Sequence, residues 1–291
     1  MKVYRIATAA CMVLAVGVGQ LVLAGPADEA ANYNAEGQAL IAKGDLKGAL
    51  KVYKSAAKAA PEDSTCRQEF AMVRRVAAMS EVLDREKDNA EWALTAQAVR
   101  SFYRERGASS QVLALDRRAH ERLNTPETAV ALAESLLETG NEAEALMLLQ
   151  GLPESSRSVR TNVLWTIALA HEGKVDEAKA VATRCELPDD ADAALLYDSA
   201  RAHALIGDGP TALRLLTNHF ESTPPSRLES RTTLARASAD FASLAGSEDF
   251  AKVLQTQSKI KESTCSGGTS CSGCPSRSSC KSKAPAEHKS H

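Results

Sequence analysis

The chain has 291 residues, enough for one elongated repeat domain or about two compact ones. Aromatic residues make up only 4%, while alanine, leucine, glutamate and arginine dominate, which is a helical composition with little material for sheets. The formal net charge of -2 is close to neutral, so the composition argues against nucleic acid as the main partner.

The first 24 residues have the layout of an export signal. Lys2 and Arg5 supply a short positive region, residues 6–24 are uncharged and mostly apolar, and the small residue Ala24 precedes the expected cleavage site. The alternative is an uncleaved anchor, since the apolar stretch nearly reaches the roughly 20 residues that span a bilayer. The segment therefore predicts export to the periplasm or outside the cell, with membrane attachment only if the signal stays uncleaved.

The next stretch predicts a helix, a tight turn and a second helix. Residues 31–43 form the first helical segment, and Gly44 interrupts it. Residues 46–60 then carry small and apolar side chains at i, i+3, i+4 and i+7, the spacing of an amphipathic helix. Pro61 cannot continue that helix and ends it.

This unit resembles the tetratricopeptide repeat, a helix–turn–helix of about 34 residues. The residues that carry the resemblance are an aromatic and a small residue on the first helix, the turn glycine, and three packing residues and a closing proline on the second: Tyr33, Gly37, Gly44, Ala49, Tyr53, Ala56 and Pro61. The small residues let helices approach closely, and the aromatic fills the gap between repeats.

The segment 64–91 departs from this pattern. Residues 65–87 keep helical spacing but contain no internal glycine turn. They predict either one long helix or a pair whose turn is disguised. We therefore treat residues 64–91 as an irregular part of the repeat domain.

Further copies of the turn follow at a nearly constant period. Gly107, Gly140, Gly173 and Gly207 are spaced by 33, 33 and 34 residues, and a degenerate copy at Gly246 comes 39 residues later. The segments 92–106, 126–139, 195–206 and 234–244 are among those predicted to be the helices before these turns, with Thr125 as an N-cap. The resemblance implies an all-α class for residues 25–262: an α-solenoid of stacked antiparallel helix pairs, a TPR-like superhelix.

The resemblance also implies a concave groove lined by the first helix of each pair, which in this family commonly holds an extended peptide or a partner helix. Polar residues expected to face the groove include Ser101 and Glu127 and the following set: Asn34, Gln38, Gln97, Arg104, Glu134, Arg160, Tyr197 and Arg201. Arginine and tyrosine are efficient contact residues at interfaces. We expect Arg104, Arg160 and Arg201 to bind a peptide segment.

The sequence contains no motif of a common hydrolase or nucleotide-binding site: HExxH, GxSxG and a Walker-type glycine loop are all missing. Four histidines fall on separate predicted helices and are expected at the surface or the edge of the core: His120, His171, His203 and His219. Cys66 and Cys185 stand alone within the repeats and are expected as small core residues. These observations predict that the protein is not an enzyme.

The composition changes sharply in residues 263–291, which are rich in serine, glycine and lysine and are expected to be disordered unless cross-linked or bound to metal. This tail holds Cys265, Cys271, Cys274 and Cys280 in the spacing C-x5-C-x2-C-x5-C. The four thiols allow two disulfides, a Zn²⁺ or iron–sulfur site, or a redox-active Cys271–Cys274 pair. The spacing does not decide among these alternatives.

Together these features predict a non-catalytic protein-interaction scaffold of the cell envelope, with a peptide or protein partner and no cofactor in the repeats. The alternative function is a metal-binding or redox accessory protein, in which the repeats form the platform and the cysteine tail carries the chemistry.

Overall fold

The computed structural model describes residues 26–261, and in this range every regular element is a helix. The predicted signal segment and the cysteine tail lie outside the described residues. The chain divides into two compact units, of which unit 1 ends at Gln111 and unit 2 begins at Val112. Within each unit most helices pack against the helix that precedes or follows them in sequence, which confirms the predicted all-α class of packed helix pairs.

Unit 1 contains four helices and the start of a fifth. Their bounds are α1 Pro26–Ala42, α2 Leu46–Ala59, α3 Ser64–Leu83, α4 Asn89–Glu105 and α5 Ser109–Leu123, the last of which continues into unit 2. In this unit α2 packs against α1 and α3, and α3 packs against α4. The predicted helix segments 31–43, 46–60 and 92–106 correspond to α1, α2 and α4.

The close approach of α1 and α2 depends on a glycine facing an aromatic ring. Tyr53 is fully buried, and a Cβ added at Gly37 would lie 2.4 Å from its Cζ atom. Any larger side chain at this position would therefore push the helices apart. The close approach expected from the small residue Gly37 is confirmed, and the Tyr53 ring lies against it within the first helix pair.

The irregular segment forms one long helix, α3, rather than a disguised pair. Asp63 caps its first turn by accepting a hydrogen bond from the Thr65 amide at 2.7 Å. At the other end, the buried Trp92 indole donates to the Leu83 carbonyl at 3.1 Å. This bond satisfies a carbonyl that the end of the helix would otherwise leave without a partner.

Unit 2 contains the remaining helices, α6 Pro126–Glu138, α7 Glu142–Gln150, α8 Val159–His171, α9 Val175–Ala182, α10 Ala193–Leu205, α11 Gly209–Glu221, α12 Pro225–Ala237 and α13 Glu248–Val253. One apolar cluster joins α6 to α10, and a second joins α10 to α13. Thr125 caps α6 in a capping box with Thr128, as the sequence predicts for its N-cap.

The predicted turn glycines share one backbone geometry. Five of them have φ between 64° and 85°, in the left-handed region that favours glycine. They are Gly44, Gly107, Gly140, Gly173 and Gly207. After each of them, the next amide donates to the carbonyl five residues earlier, at 2.8–3.0 Å. This is the Schellman pattern that ends helices, so the recurring glycine has a local structural cause.

The last copy of the repeat differs from the prediction. We expected a helix over residues 234–244, but α12 ends at Ala237 and a 3₁₀ turn, Ala239–Phe241, follows it. Pro225 occupies the first turn of α12, which is a favourable position for proline and fixes an earlier start than we expected. Gly246 also lacks the left-handed geometry of the other turn glycines.

No helix among residues 26–261 combines the length and apolar character needed to cross a bilayer.

Candidate functional site

The predicted groove residues of unit 1 lie on α1 and α4, the helices that precede its turn glycines. Gln38, Gln97 and Arg104 are exposed on these helices. Asn34 is half-buried, and its Oδ1 atom accepts a hydrogen bond from the Tyr53 hydroxyl at 3.2 Å. Asn34 therefore ties α1 to α2, whereas the other three side chains face solvent.

In unit 2, charged residues from separate first helices meet in one ion-pair network. Arg160 on α8 lies 3.1 Å from Glu134 on α6 and 3.7 Å from Asp198 on α10. Arg201, one turn beyond Asp198, pairs with it at 3.1 Å. The Nε atom of Arg201 also donates to Asp240 in the 3₁₀ turn at 2.6 Å. Three of the predicted groove residues thus belong to the same network.

A histidine completes this network at the end of α8. The Nε2 atom of His171 lies 3.0 Å from Oδ1 of Asp240, so Asp240 binds His171 and Arg201 through its two oxygens. We call Glu134, Arg160, His171, Asp198, Arg201 and Asp240 the charged face. It contains three carboxylates and two guanidiniums, so the protonation of His171 decides whether its net charge is -1 or 0.

Exposure differs strongly between the members of the charged face. The side chains of Arg160 and His171 are each 28% exposed, whereas those of Arg201 and Asp240 are 15% and 7% exposed. An incoming molecule can therefore contact Arg160 and His171 directly. Arg201 and Asp240 lie deeper and hold the arrangement in place.

Burial and the contacts within the charged face together set the pKa values of its members. Hydrogen bonding to Asp240 raises the pKa of His171 despite the opposing effect of its burial. Burial alone would raise the pKa of Asp240, but His171 and Arg201 outweigh it and hold that pKa below its ordinary value. For Asp198 burial dominates and raises the pKa, with Arg201 offsetting part of the effect.

Tyr197 is the remaining predicted groove residue of unit 2, and it packs into the second apolar cluster. Its ring centroid lies 5.1 Å from that of His219 and 5.8 Å from that of Phe241. Burial raises the pKa of its hydroxyl. Its contacts are those of a core-edge aromatic residue that supports the 3₁₀ turn carrying Asp240.

One histidine differs from the expectation that all four lie at the surface or the core edge. His219 is buried, and its Nδ1 atom donates to the Ala193 carbonyl at 2.6 Å. Burial lowers its pKa, which favours the neutral form. Its Nε2 atom has no hydrogen-bond partner among the described residues. His219 is buried because side chains of α10 and α11 pack around its ring. The position of His219 on its own helix gave no sign of these neighbours.

The two repeat cysteines behave as packing residues. Cys66 is buried, and its Sγ atom lies 3.4 Å from Oδ2 of Asp63. Cys185 is partly buried against the first apolar cluster of unit 2, and burial raises its pKa to about 11. Neither cysteine forms a disulfide within the described part of the chain. Among residues 26–261, no group of three metal-ligating side chains is placed to hold an ion.

The sequence interpretation missed His171, Asp198 and Asp240 as members of the charged face. Signals for two of them were present. Asp240 precedes Gly246 by six residues, as Glu134 and Arg201 precede their own turn glycines. Asp198 lies three residues before Arg201, a spacing that places two side chains on one helix face. For His171 the sequence offers no comparable sign.

No family model matches the sequence, and no curated protein matches it. Among solved structures, the chain is similar to a tetratricopeptide repeat protein from Parabacteroides merdae ATCC 43184, with 19% sequence identity and a TM-score of 0.39. The match covers 78% of this chain and 93% of that chain. At that TM-score the similarity adds nothing to what the helix packing itself shows.

Proposed function

We propose that the chain is a non-catalytic protein-interaction scaffold of the cell envelope. In this proposal a peptide or partner protein binds along the first helices of unit 2, α6, α8 and α10. The supporting observation is the charged face, which gathers ionic side chains from three successive first helices onto one surface. The sequence motifs of common catalytic sites are absent from the chain, which agrees with a binding role.

The proposal assigns different roles to the two arginines of the charged face. Arg160 is the contact residue, because its guanidinium is partly exposed and can share hydrogen bonds with a carboxylate or carbonyl of the partner. Arg201 is the positioning residue, because Asp198 and Asp240 already hold it. Side chains fixed before binding lose less conformational entropy when the partner arrives, so this network favours affinity.

A site-specific cross-linking experiment tests the location of binding. A photoreactive amino acid replaces Glu127, exposed on the first helix α6, or Lys179, exposed on the second helix α9. After irradiation in an extract of the native cell envelope, we expect a defined protein adduct from position 127 and little from position 179. Equal adducts from both positions, or an adduct from position 179 alone, would contradict the proposal.

The contact role of Arg160 has its own test. Arg160→Gln should lower capture of the cross-linked partner several-fold, since it removes a charge that the partner meets directly. Arg117→Gln is the matched control, because it removes an arginine from an exposed ion pair with Glu144 on α5 and α7. Capture that falls equally in both variants would show a general charge effect rather than a contact at Arg160.

From the N-terminal sequence alone, we also propose that the protein is exported and that its signal segment is cleaved. The alternative function, a metal-binding or redox role for the tail, depends on the spacing of Cys265, Cys271, Cys274 and Cys280. Elemental analysis of the chain with and without Cys271→Ser and Cys274→Ser tests the metal-binding role. Metal that disappears from the variant supports the alternative, and equal metal in both forms removes it.

A further inference from the structure

Helix α3 in unit 1 presents an exposed surface that the proposed function does not use. One side of the helix packs into the core through its buried residues, Cys66, Val73, Val76 and Leu83. The opposite side carries exposed side chains at i, i+4, i+7, i+8, i+11 and i+15, a spacing that keeps them within about a third of the helix circumference. These residues are Arg67, Ala71, Arg74, Arg75, Ala78 and Val82, which we call the basic face of α3.

The charges of the basic face are not neutralised by carboxylates within the described residues. Arg67 and Arg75 form no ion pair there, and Arg74 lies over the Phe70 ring of the same helix, 5.8 Å from its centroid. The nearby acids of α3 have other partners: Glu69 pairs with Arg106 and Glu81 pairs with Arg85. The face therefore carries three positive charges.

Apolar surface lies alongside these charges. Val82, on the basic face itself, is one of the few large apolar side chains exposed in the described chain. Ala71 and Ala78 have small side chains, so a second helix or an extended segment can approach the α3 backbone between the arginines.

We propose that the basic face of α3 binds an acidic, amphipathic polypeptide segment. Arg67 and Arg74 are seven residues apart, so they lie about 10 Å apart along the helix axis. Carboxylates two turns apart on a partner helix match this distance, and each can accept a forked pair of hydrogen bonds from an arginine. Val82, which lies on the same face, contacts the apolar side of the same segment.

The composition of the surface favours a polypeptide over a lipid membrane. Helices that lie in a membrane interface bury a broad apolar face that carries residues such as tryptophan, phenylalanine and leucine. On α3 the arginines lie between the apolar residues, and the only aromatic residue, Phe70, is half-buried. Discrete carboxylates among apolar side chains fit this arrangement better than a continuous hydrocarbon layer.

The test uses the full chain and a fluorescein-labelled synthetic helix with glutamates at i and i+7 and leucines between them. Fluorescence anisotropy should show saturable binding that weakens as ionic strength increases. The triple variant Arg67→Glu, Arg74→Glu and Arg75→Glu should weaken binding about tenfold or more, since three attractive contacts become repulsive. Val82→Ser should weaken it by about threefold without changing any charge.

The matched control reverses three exposed arginines on α12, Arg227, Arg231 and Arg236, which changes the net charge by the same amount. This variant should bind like the original chain. An equal loss in the control, or no binding of the peptide by the original chain, would overturn the proposal. Binding to phosphatidylcholine–phosphatidylglycerol vesicles in place of the peptide would also overturn it. Circular dichroism checks that each variant is folded. Where a variant is unfolded, the experiment uses alanine at the same positions instead.

Discussion

At the residue scale, the charged face shows how two arginines in similar positions differ in role. Arg201 is mostly buried between Asp198 and Asp240, and although burial alone would lower its pKa, these two carboxylates raise it. A buried charge without its partner is strongly unfavourable, whereas an exposed ion pair contributes little. The loss of stability on removing an arginine therefore depends more on how deeply its side chain is buried than on how many partners it has.

Replacing Arg201 with methionine tests this point. Asp198 and Asp240 would remain buried without their shared cation, so we expect the free energy of unfolding to fall by about 3–5 kcal/mol. Urea denaturation followed by circular dichroism measures the change. Arg117→Met, which breaks the exposed pair with Glu144, should cost at most about 1 kcal/mol. Equal costs for the two variants would refute the difference in role.

His171 should make the stability of unit 2 depend on pH. Asp240 raises the folded-state pKa of His171. The contribution of this pair to the free energy of unfolding is therefore fully present below the unfolded-state pKa of about 6.5. The contribution is lost as the pH rises through the folded-state pKa. His171→Gln should therefore destabilise the protein more at about pH 5.5 than at about pH 8.5. Urea denaturation at both pH values measures the difference, and a larger cost at the higher pH would contradict the assignment.

At the element scale, the helix pairs depend on glycines that adopt left-handed backbone geometry. A Cβ added at Gly173 would meet no atom within 4 Å, so its replacement carries a conformational cost but no steric clash with neighbours. Gly246 is equally open but has no positive φ. The two positions therefore separate backbone strain from packing.

Gly173→Ala should lower the free energy of unfolding by about 1–2 kcal/mol, since alanine is strained at positive φ. Gly246→Ala should change it by less than about 0.5 kcal/mol. Thermal or urea denaturation of both variants makes the comparison. A cost at Gly246 that matches the cost at Gly173 would show that left-handed backbone geometry is not what requires glycine at the repeat turns.

The elements predicted correctly from sequence are those specified by local signals. Glycine turns, the Thr125 cap and apolar spacing each act within a few residues, and they placed the helices around Gly44, Gly107 and Gly140. The predicted helix over residues 234–244 was wrong because a distant contact intervenes. Asp240 binds Arg201, which is 39 residues away in the sequence, and Phe241 packs against Phe250. Local patterns do not contain such contacts.

At the scale of the whole molecule, the sequence located part of the candidate site but not its organisation. Glu134, Arg160 and Arg201 were predicted as separate groove residues, and the structure joins them into one network. The linking residue Asp198 and the terminal pair of His171 and Asp240 were not predicted, because the contacts of Asp198 with Arg160 and of Asp240 with His171 connect different repeats. Pairing between repeats depends on how helices stack, which the repeat pattern alone does not specify.

The central claim is that the first helices of unit 2 form the surface that binds a protein partner. Hydrogen–deuterium exchange of the full chain, with and without the cross-linked partner in purified form, measures this directly. We expect slower exchange in peptides from α6, α8 and α10 when the partner is bound, with α7, α9 and α11 changing less. Protection confined to α7, α9 and α11, or no protection anywhere in unit 2, would contradict the claim.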